Sequence, residues 1–240
     1  PGTVGIDAPT RDLVGSAFEL ASLDAVALKG FSEPVPVWRV RGATRSATRF
    51  ETSRRAGESE LVGRTHELGL LLDRWRAARS GDGQAVLVTG EARIGKSRLV
   101  RNLCDETDGE ARALIVLQCA SIHASTPLHP VTAHLTRAAG TEDTDPPEAR
   151  AAKLAAHLSA GGLARADAQF LAARLTEPAS APSDLPSSTM RARQLAALRT
   201  YLLGAPRQRP CLILVEDVHW ADPTTRDLMT EVVAELGGHR

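Results

Sequence analysis

The 240-residue chain has few aromatic residues, few cysteines and no excess of charge of either sign. Its 29 basic and 29 acidic residues balance, so charge does not indicate direct binding to nucleic acid. The three cysteines, at positions 104, 119 and 211, are too widely spaced for a disulfide framework or a cysteine-rich zinc site. No apolar run approaches the length of a membrane span, and no charged-then-apolar leader is seen. We therefore expect a cytoplasmic globular protein with no membrane partner.

Lysine is also scarce, since the 29 basic residues comprise three lysines and 26 arginines. In a chain where arginine is the usual cation, a lysine is a mild indication that an ammonium group is needed at that position. The two cations differ in shape, hydration and hydrogen-bond geometry, so they are not interchangeable at a crowded phosphate. Two of the three lysines, Lys29 and Lys96, lie within the motifs described below.

The hydrophobic pattern divides the chain into two parts. Residues 1–40 predict a short helix at 10–17 and strands at 18–28 and 35–40, too little to bury an independent core. Residues 41–60 are rich in Arg, Ser, Thr and Gly and predict a solvated linker, with an arginine-lined helix facing a polyanion as the alternative.

From residue 61 to residue 240, short apolar runs alternate with helical periodicity. This alternation predicts an α/β domain with a mainly parallel sheet between helices. The predicted strands are 85–89, 113–119 and 210–215. The predicted helices are 66–79, 96–104, 130–139, 149–158, 164–175, 190–203 and 222–236. The last helix begins with Asp222 as its N-cap and Pro223 at the first helical position. Residues 141–148 and 177–188 predict loops.

A phosphate-binding motif of the form Gly-x4-Gly-Lys-Ser follows the first of these strands and opens a helix. Its residues are Gly90, Glu91, Ala92, Arg93, Ile94, Gly95, Lys96 and Ser97. Backbone N–H groups of such a loop and the dipole of the following helix converge on a phosphate, and glycines let the backbone approach closely. The ammonium of Lys96 reaches the β- and γ-phosphates, and the hydroxyl of Ser97 binds Mg²⁺. The motif therefore predicts a nucleoside-triphosphate site.

A second element of such a site follows the last predicted strand, where the apolar run at 211–215 ends in Glu216 and Asp217. This has the form of a Walker B strand, in which one carboxylate supports Mg²⁺ and the other polarises the attacking water. We expect Ser97, Glu216 and Asp217 to hold the metal and Asp217, Glu216 and Lys96 to be catalytic. The alternative is a strand that ends in two solvated acids. The histidines lack metal-ligand spacing, so no zinc site is predicted.

Three segments resemble the ATPase module of STAND-type signalling NTPases, which are AAA-related proteins that include large LuxR-type regulators. They are LVGR at 61–64, GEARIGKSRL at 90–99 and LILVEDVHWADPT at 212–224. The resemblance implies an AAA/STAND-type P-loop ATPase over residues 61–240, with ATP and Mg²⁺ as ligands. It also implies that Val62, Gly63 and Arg64 lie near the adenine. The segment QCASIHASTPLHP at 118–130 is similar to one in the cyclase-linked branch of these proteins.

The N-terminal part, above all ALKGFSEPVPVWRV at 27–40, resembles the last helix and strands of a class III adenylate/guanylate cyclase domain. This implies that residues 1–40 are a small α/β remnant of a ferredoxin-like cyclase domain, with Lys29 as the substrate-contacting lysine. The metal-binding aspartates of that family, and the sensor strand and winged-helix lid of the ATPase family, do not occur in this chain. We therefore expect a fragment of a cyclase-linked regulator that makes no cyclic nucleotide itself. Its partners would be ATP, the missing cyclase and winged-helix or repeat domains and, in a homo-oligomer, a second copy.

Two positions depart from the family pattern. Arg93 stands where the family usually has glycine, so a left-handed backbone there would cost about 1–2 kcal/mol and weaken nucleotide binding. The alternative is that the guanidinium of Arg93 adds a phosphate contact. Glu216 stands where many P-loop proteins have aspartate, which favours Asp217 for activating water.

These observations leave three functions open. The first is an ATP-binding, slowly hydrolysing signal-transduction module. The second is a non-catalytic regulatory or scaffold module of a LuxR-type transcription regulator. The third is a passive appendage to a cyclase.

Overall fold

The structure is a computed structural model that describes residues 3–14, 18–23, 25–27, 33–43, 63–110, 112–142, 144–176, 186–204 and 209–237. The chain divides into two compact units, Pro1–Leu61 and Val62–Arg240. Lys29, Val62, most of the predicted linker and most of the predicted loop at 177–188 lie outside the described residues.

The first unit contains a three-stranded antiparallel sheet and a short helix. Its elements are β1 (Gly5–Ile6), α1 (Ala8–Val14), β2 (Phe18–Ser22) and β3 (Trp38–Ala43). β3 lies between β1 and β2. It continues to Ala43, where a linker was predicted from residue 41, because Gly42 and Ala43 pair with Glu19 and Phe18. β3 thus extends three residues into the predicted linker, while the linker itself and the ferredoxin-like origin of this unit stay predictions.

The second unit is an α/β arrangement in which the described residues form seven helices and two strands. The helices are α2 (Thr65–Arg79), α3 (Lys96–Glu106), α4 (His129–Ala138), α5 (Pro147–Ala160), α6 (Arg165–Thr176), α7 (Ser187–Gly204) and α8 (Pro223–Ala234). The strands are β4 (Ala113–Gln118) and β5 (Cys211–Glu216). Each helix predicted from periodicity is confirmed, with ends that shift by a few residues. None of the described helices has the length and hydropathy needed to cross a bilayer.

β4 and β5 pair in parallel, with residues 113–118 in register with residues 211–216. Four helices, α4 to α7, separate the two strands along the chain, as a parallel pair requires. The core beside this sheet contains seven fully buried leucines contributed by β4 and by α4 to α8. They are Leu117, Leu135, Leu158, Leu171, Leu198, Leu202 and Leu228. The predicted parallel sheet is therefore confirmed for these two strands.

The predicted strand at residues 85–89 is wrong, because the structure assigns this segment to neither sheet. The side chains of Val86 and Leu87 are 51% and 75% exposed. A strand forms only where its backbone N–H and C=O groups find a neighbouring strand, and strand propensity depends on that context. A run of apolar residues indicates side chains that favour a sheet, but it does not indicate whether a neighbouring strand is available for pairing.

α2 and α3, which flank this segment, pack on each other through buried Leu71, Trp75, Leu99 and Leu103. The indole Nε1 of Trp75 donates to the carboxylate of Glu110, just beyond the end of α3. This contact links α2 to the chain just after α3, the helix that begins within the phosphate-binding motif (residues 90–97, hereafter the phosphate loop).

Candidate functional site

The phosphate loop lies on an exposed part of the second unit, at the N-terminus of α3. Gly95 is the N-cap of α3 and has a φ of 99°, a left-handed conformation that glycine adopts without a steric penalty. At Gly90, where φ is 153°, an added Cβ would lie 3.2 Å from Cγ2 of Ile94. No side chain of the described residues caps this helix, so its first N–H groups remain as donors for an anion.

Lys96 is folded back onto the loop. Its Nζ donates to the carbonyl oxygens of Gly90 and Glu91 at 2.9 and 2.8 Å. A phosphate that binds in the loop would replace these two acceptors. Ser97 follows in the first turn of α3 with its side chain exposed. The side chains of Lys96 and Ser97 therefore both extend from the first turn of α3.

Arg93 has a left-handed backbone, with a φ of 64°. The steric penalty expected for a non-glycine residue, about 1–2 kcal/mol, therefore applies at this position. Its side chain is exposed, and among the described residues it makes no hydrogen bond or ion pair. A role of the guanidinium in phosphate binding stays a prediction.

Glu216 and Asp217 lie at the carboxyl end of β5, the edge at which parallel sheets bind ligands. Glu216 is half-buried, and its carbonyl accepts the N–H of Cys119 at 3.1 Å. Asp217 has a φ of 52°, is exposed, and accepts the N–H of Trp220 through its carbonyl at 2.8 Å. The left-handed residue turns the chain out of the strand and presents a carboxylate to solvent.

A buried carboxylate, Asp222, connects this turn to the segment that follows β4. Its side chain is the N-cap of α8 and accepts the N–H of Thr225 at 3.0 Å, together with the Thr225 hydroxyl. It also accepts the N–H of Leu128 at 3.2 Å, across 94 positions of sequence. Asp222 is 2% exposed. The predicted N-cap is confirmed, whereas the bond to Leu128 has no local signal in the sequence.

Burial sets the protonation of the neighbouring groups. Burial, followed by the negative charges of Asp222 and Asp217, raises the pKa of the Cys119 thiol to about 11. This thiol stays protonated near neutral pH and is a poor nucleophile. Burial and the stacked ring of His123, 3.5 Å away between centroids, lower the pKa of His129. Within the described ranges, no three His, Cys, Asp or Glu residues form a group that could hold a metal ion.

The predicted site residues lie on two different parts of the second unit. The phosphate loop leads into α3, which packs on α2, whereas Glu216 ends β5, which pairs with β4, and Asp217 follows it. Residues 85–89 would carry the loop to the sheet as a paired strand, but this pairing is not formed between described residues.

Arg64 is brought to the phosphate loop. Its Nη2 donates to the carbonyl of Ile94 at 3.3 Å, and its Nη1 forms an ion pair with Glu67 at 2.7 Å. Gly63, beside it, has a left-handed φ of 73°.

This combination of a glycine-containing loop at a helix N-terminus and acids at the end of a parallel strand defines a P-loop type of α/β domain. Residues 60–239 match the family described as "AAA ATPase domain", and the chain belongs to that family. Over 234 residues it is 32% identical to an uncharacterized protein of Rhizobium meliloti (strain 1021), covering 96% of this chain and 22% of that protein. The chain thus spans about a fifth of the length of this relative, and the match includes both units. No solved structure matches the chain.

Proposed function

We propose that residues 90–97 bind the triphosphate of ATP with Mg²⁺ and that the second unit hydrolyses it slowly. The observation that carries the proposal is the N-terminus of α3. Gly95, its N-cap, has a left-handed backbone, and Lys96 is its first residue. Membership of a family of ATPase domains supports the same function. The ammonium of Lys96 would exchange the carbonyls of Gly90 and Glu91 for oxygens of the β- and γ-phosphates.

The side chains proposed for the metal have the oxygen donors that Mg²⁺ prefers, and the proposal requires the phosphate loop to lie beside the end of β5 when nucleotide binds. Ser97, Glu216 and Asp217 offer only oxygen ligands, and magnesium sites of nucleotides use one or two carboxylates together with phosphates and waters. When bound, the metal neutralises charge on the phosphates. Asp217 is the better group to orient the attacking water, because it is exposed beyond the end of β5, whereas Glu216 is half-buried within it.

A thermal-shift titration with Mg-ATP tests the proposal. Binding to the folded state alone raises stability by about 2.7 kcal/mol at a ligand concentration of 100 Kd. We expect the melting temperature of the wild type to rise with Mg-ATP and that of Lys96→Ala to stay constant. Excess EDTA should reduce the rise.

Lys153→Ala is the matched control for this experiment. Lys153 lies on α5 and forms an ion pair with Asp145 at 2.7 Å. Its substitution therefore removes a lysine that makes no contact with the phosphate loop. It should keep the full shift. No shift in the wild type, or an equal shift in Lys96→Ala, would contradict the proposal.

A non-catalytic scaffold module of a LuxR-type regulator is the second candidate, and Arg93 is the observation that favours it. Its left-handed backbone lacks an offsetting contact among the described residues, and the loop follows an unpaired segment. The same titration on Arg93→Gly separates the candidates. Binding that appears only in Arg93→Gly would indicate a phosphate loop that has lost its function, as in a scaffold.

We also propose that residues 1–40 are the C-terminal tail of a nucleotidyl cyclase domain, in a longer cytoplasmic protein with further winged-helix or repeat domains. The support is the sequence resemblance and the match of both units to a much longer relative. In a full-length protein, Lys96→Ala should change the rate of cyclic-nucleotide formation if the ATPase unit regulates the cyclase. Equal rates would make the ATPase unit a passive appendage.

A further inference from the structure

Two cationic side chains, those of Lys96 and Arg64, donate hydrogen bonds to backbone carbonyls of the phosphate loop. Lys96 holds Gly90 and Glu91 from within the motif. Arg64 holds Ile94 from the start of α2, 30 positions upstream. Arg64 is itself fixed, because its other guanidinium nitrogen pairs with Glu67 in the first turn of α2. The contact therefore joins the N-terminal end of α2 to the phosphate loop.

The peptide that Arg64 contacts lies between two residues with left-handed backbone. It joins Ile94 to Gly95, and the residues on either side of Ile94, Arg93 and Gly95, have φ of 64° and 99°. A trans peptide is planar, so its C=O and N–H point in opposite directions. With the carbonyl of Ile94 held by Arg64, the N–H of Gly95 points away from the guanidinium. A flip of this peptide would exchange that donor for an acceptor.

We propose that Arg64 is a positioning residue that keeps the Ile94–Gly95 peptide oriented for phosphate binding, rather than a residue that contacts the base. The inference rests on the proposed nucleotide-binding function. Anion-binding loops work by aiming backbone N–H groups at the ligand, so one reversed peptide replaces an attraction by a repulsion. Glu67 supports the same geometry, and the pKa of its carboxyl lies below the usual value because its own backbone N–H and then Arg64 donate to it.

A base-free ligand separates the two roles. Calorimetric titrations with Mg-ATP and with magnesium tripolyphosphate, which has no adenosine, should give Kd values for the wild type, Arg64→Ala, Arg64→Lys and Arg76→Ala. Loss of a hydrogen bond to a charged donor weakens binding about tenfold. We expect Arg64→Ala to weaken both ligands about tenfold, because the phosphate-binding backbone is affected in both cases. Arg64→Lys, which keeps a charged donor, should recover part of both affinities.

Arg76→Ala is the matched control, since Arg76 lies on the same helix and forms the same type of i,i+3 ion pair, with Asp73 at 2.6 Å, away from the loop. It should bind both ligands like the wild type. If Arg64→Ala weakens Mg-ATP alone, the residue serves the base and the inference is wrong. If it weakens neither ligand, or if Arg64→Lys recovers nothing, the inference is also wrong. A wild type that binds neither ligand overturns the proposed function itself, and the inference with it.

Discussion

Arg93 in the phosphate loop and Leu128 before α4 share the same uncommon backbone conformation, with φ of 64° and 59°. Leu128 is 4% exposed, and the buried carboxylate of Asp222 accepts its N–H. Arg93 is exposed, and within the described ranges its side chain has no polar partner. Burial and a hydrogen bond therefore offset the strain at Leu128, whereas no described residue makes a polar contact that offsets the strain at Arg93.

This difference distinguishes the two regions that carry the predicted chemistry. The edge of the sheet near Asp217 is held by buried contacts, so its geometry is set by the fold. The phosphate loop is held by exposed hydrogen bonds of Lys96 and Arg64 to its own carbonyls, and a bound phosphate would replace those of Lys96. We therefore expect the sheet edge to be sensitive in stability and the loop to be sensitive in binding.

Within the two regions compared, the largest effect on stability is expected from Asp222→Ala. The substitution removes a helix N-cap and leaves the buried N–H groups of Leu128 and Thr225 without an acceptor. Together these losses should lower the free energy of unfolding by about 3 kcal/mol. Urea unfolding followed by circular dichroism measures the change.

Asp227→Ala is the control for Asp222→Ala. Asp227 lies on the same helix, but its carboxylate is 60% exposed and pairs with Arg191 at 3.3 Å. Removal of such an exposed pair should change stability by less than about 1 kcal/mol. Similar losses for the two variants would show that Asp222 does not hold the sheet edge, and the contrast between the regions would fail.

A substitution to glycine at both left-handed positions tests the contrast directly. Glycine relieves about 1–2 kcal/mol of backbone strain at either residue, less its own entropy loss on folding. At Leu128 the loss of a buried side chain outweighs this gain, so Leu128→Gly should destabilise the protein by about 2 kcal/mol. At Arg93 only the gain remains, so Arg93→Gly should stabilise it by about 0.5 kcal/mol.

Arg93→Ala is the control for this pair, because alanine keeps a Cβ and therefore keeps the strain. Its free energy of unfolding should equal that of the wild type, again in urea. A loss of stability in Arg93→Gly would mean that the arginine side chain has a contact that offsets its backbone conformation.

Features that leave a local pattern in the sequence were predictable. The helices and the pair β4–β5 were predictable, because periodicity reports which side chains are buried. The helix that begins at Lys96 and the turn before it were predictable because their contacts are local, with Lys96 reaching carbonyls only five and six positions away, whereas phosphate binding there stays a prediction. Even the strain at Arg93 was predictable, since a glycine position implies a conformation.

Long-range hydrogen-bond partners of side chains were not predictable. The bond from Asp222 to Leu128 joins residues 94 positions apart, and Asp222 on its own indicated only a helix cap. Arg64 donates to the backbone carbonyl of Ile94, which any residue at position 94 would provide. The sequence therefore gives no sign of this contact. The unpaired state of residues 85–89 is of the same kind, because it depends on a neighbour that the pattern does not specify.

The smallest expected effect tests that last point. Leu87 is 75% exposed before the phosphate loop, whereas Leu117 on β4 is fully buried. If residues 85–89 form no strand, Leu87→Ala removes side chain that is already in water, and stability should change by less than about 0.5 kcal/mol. Leu117→Ala creates a cavity in the core and should lower the free energy of unfolding by about 2–5 kcal/mol. Urea unfolding of both variants gives the comparison. A loss of about 2 kcal/mol or more at Leu87 would mean that the segment is buried in a sheet, and then the prediction of a third strand would stand and the loop would lie beside the acids of β5.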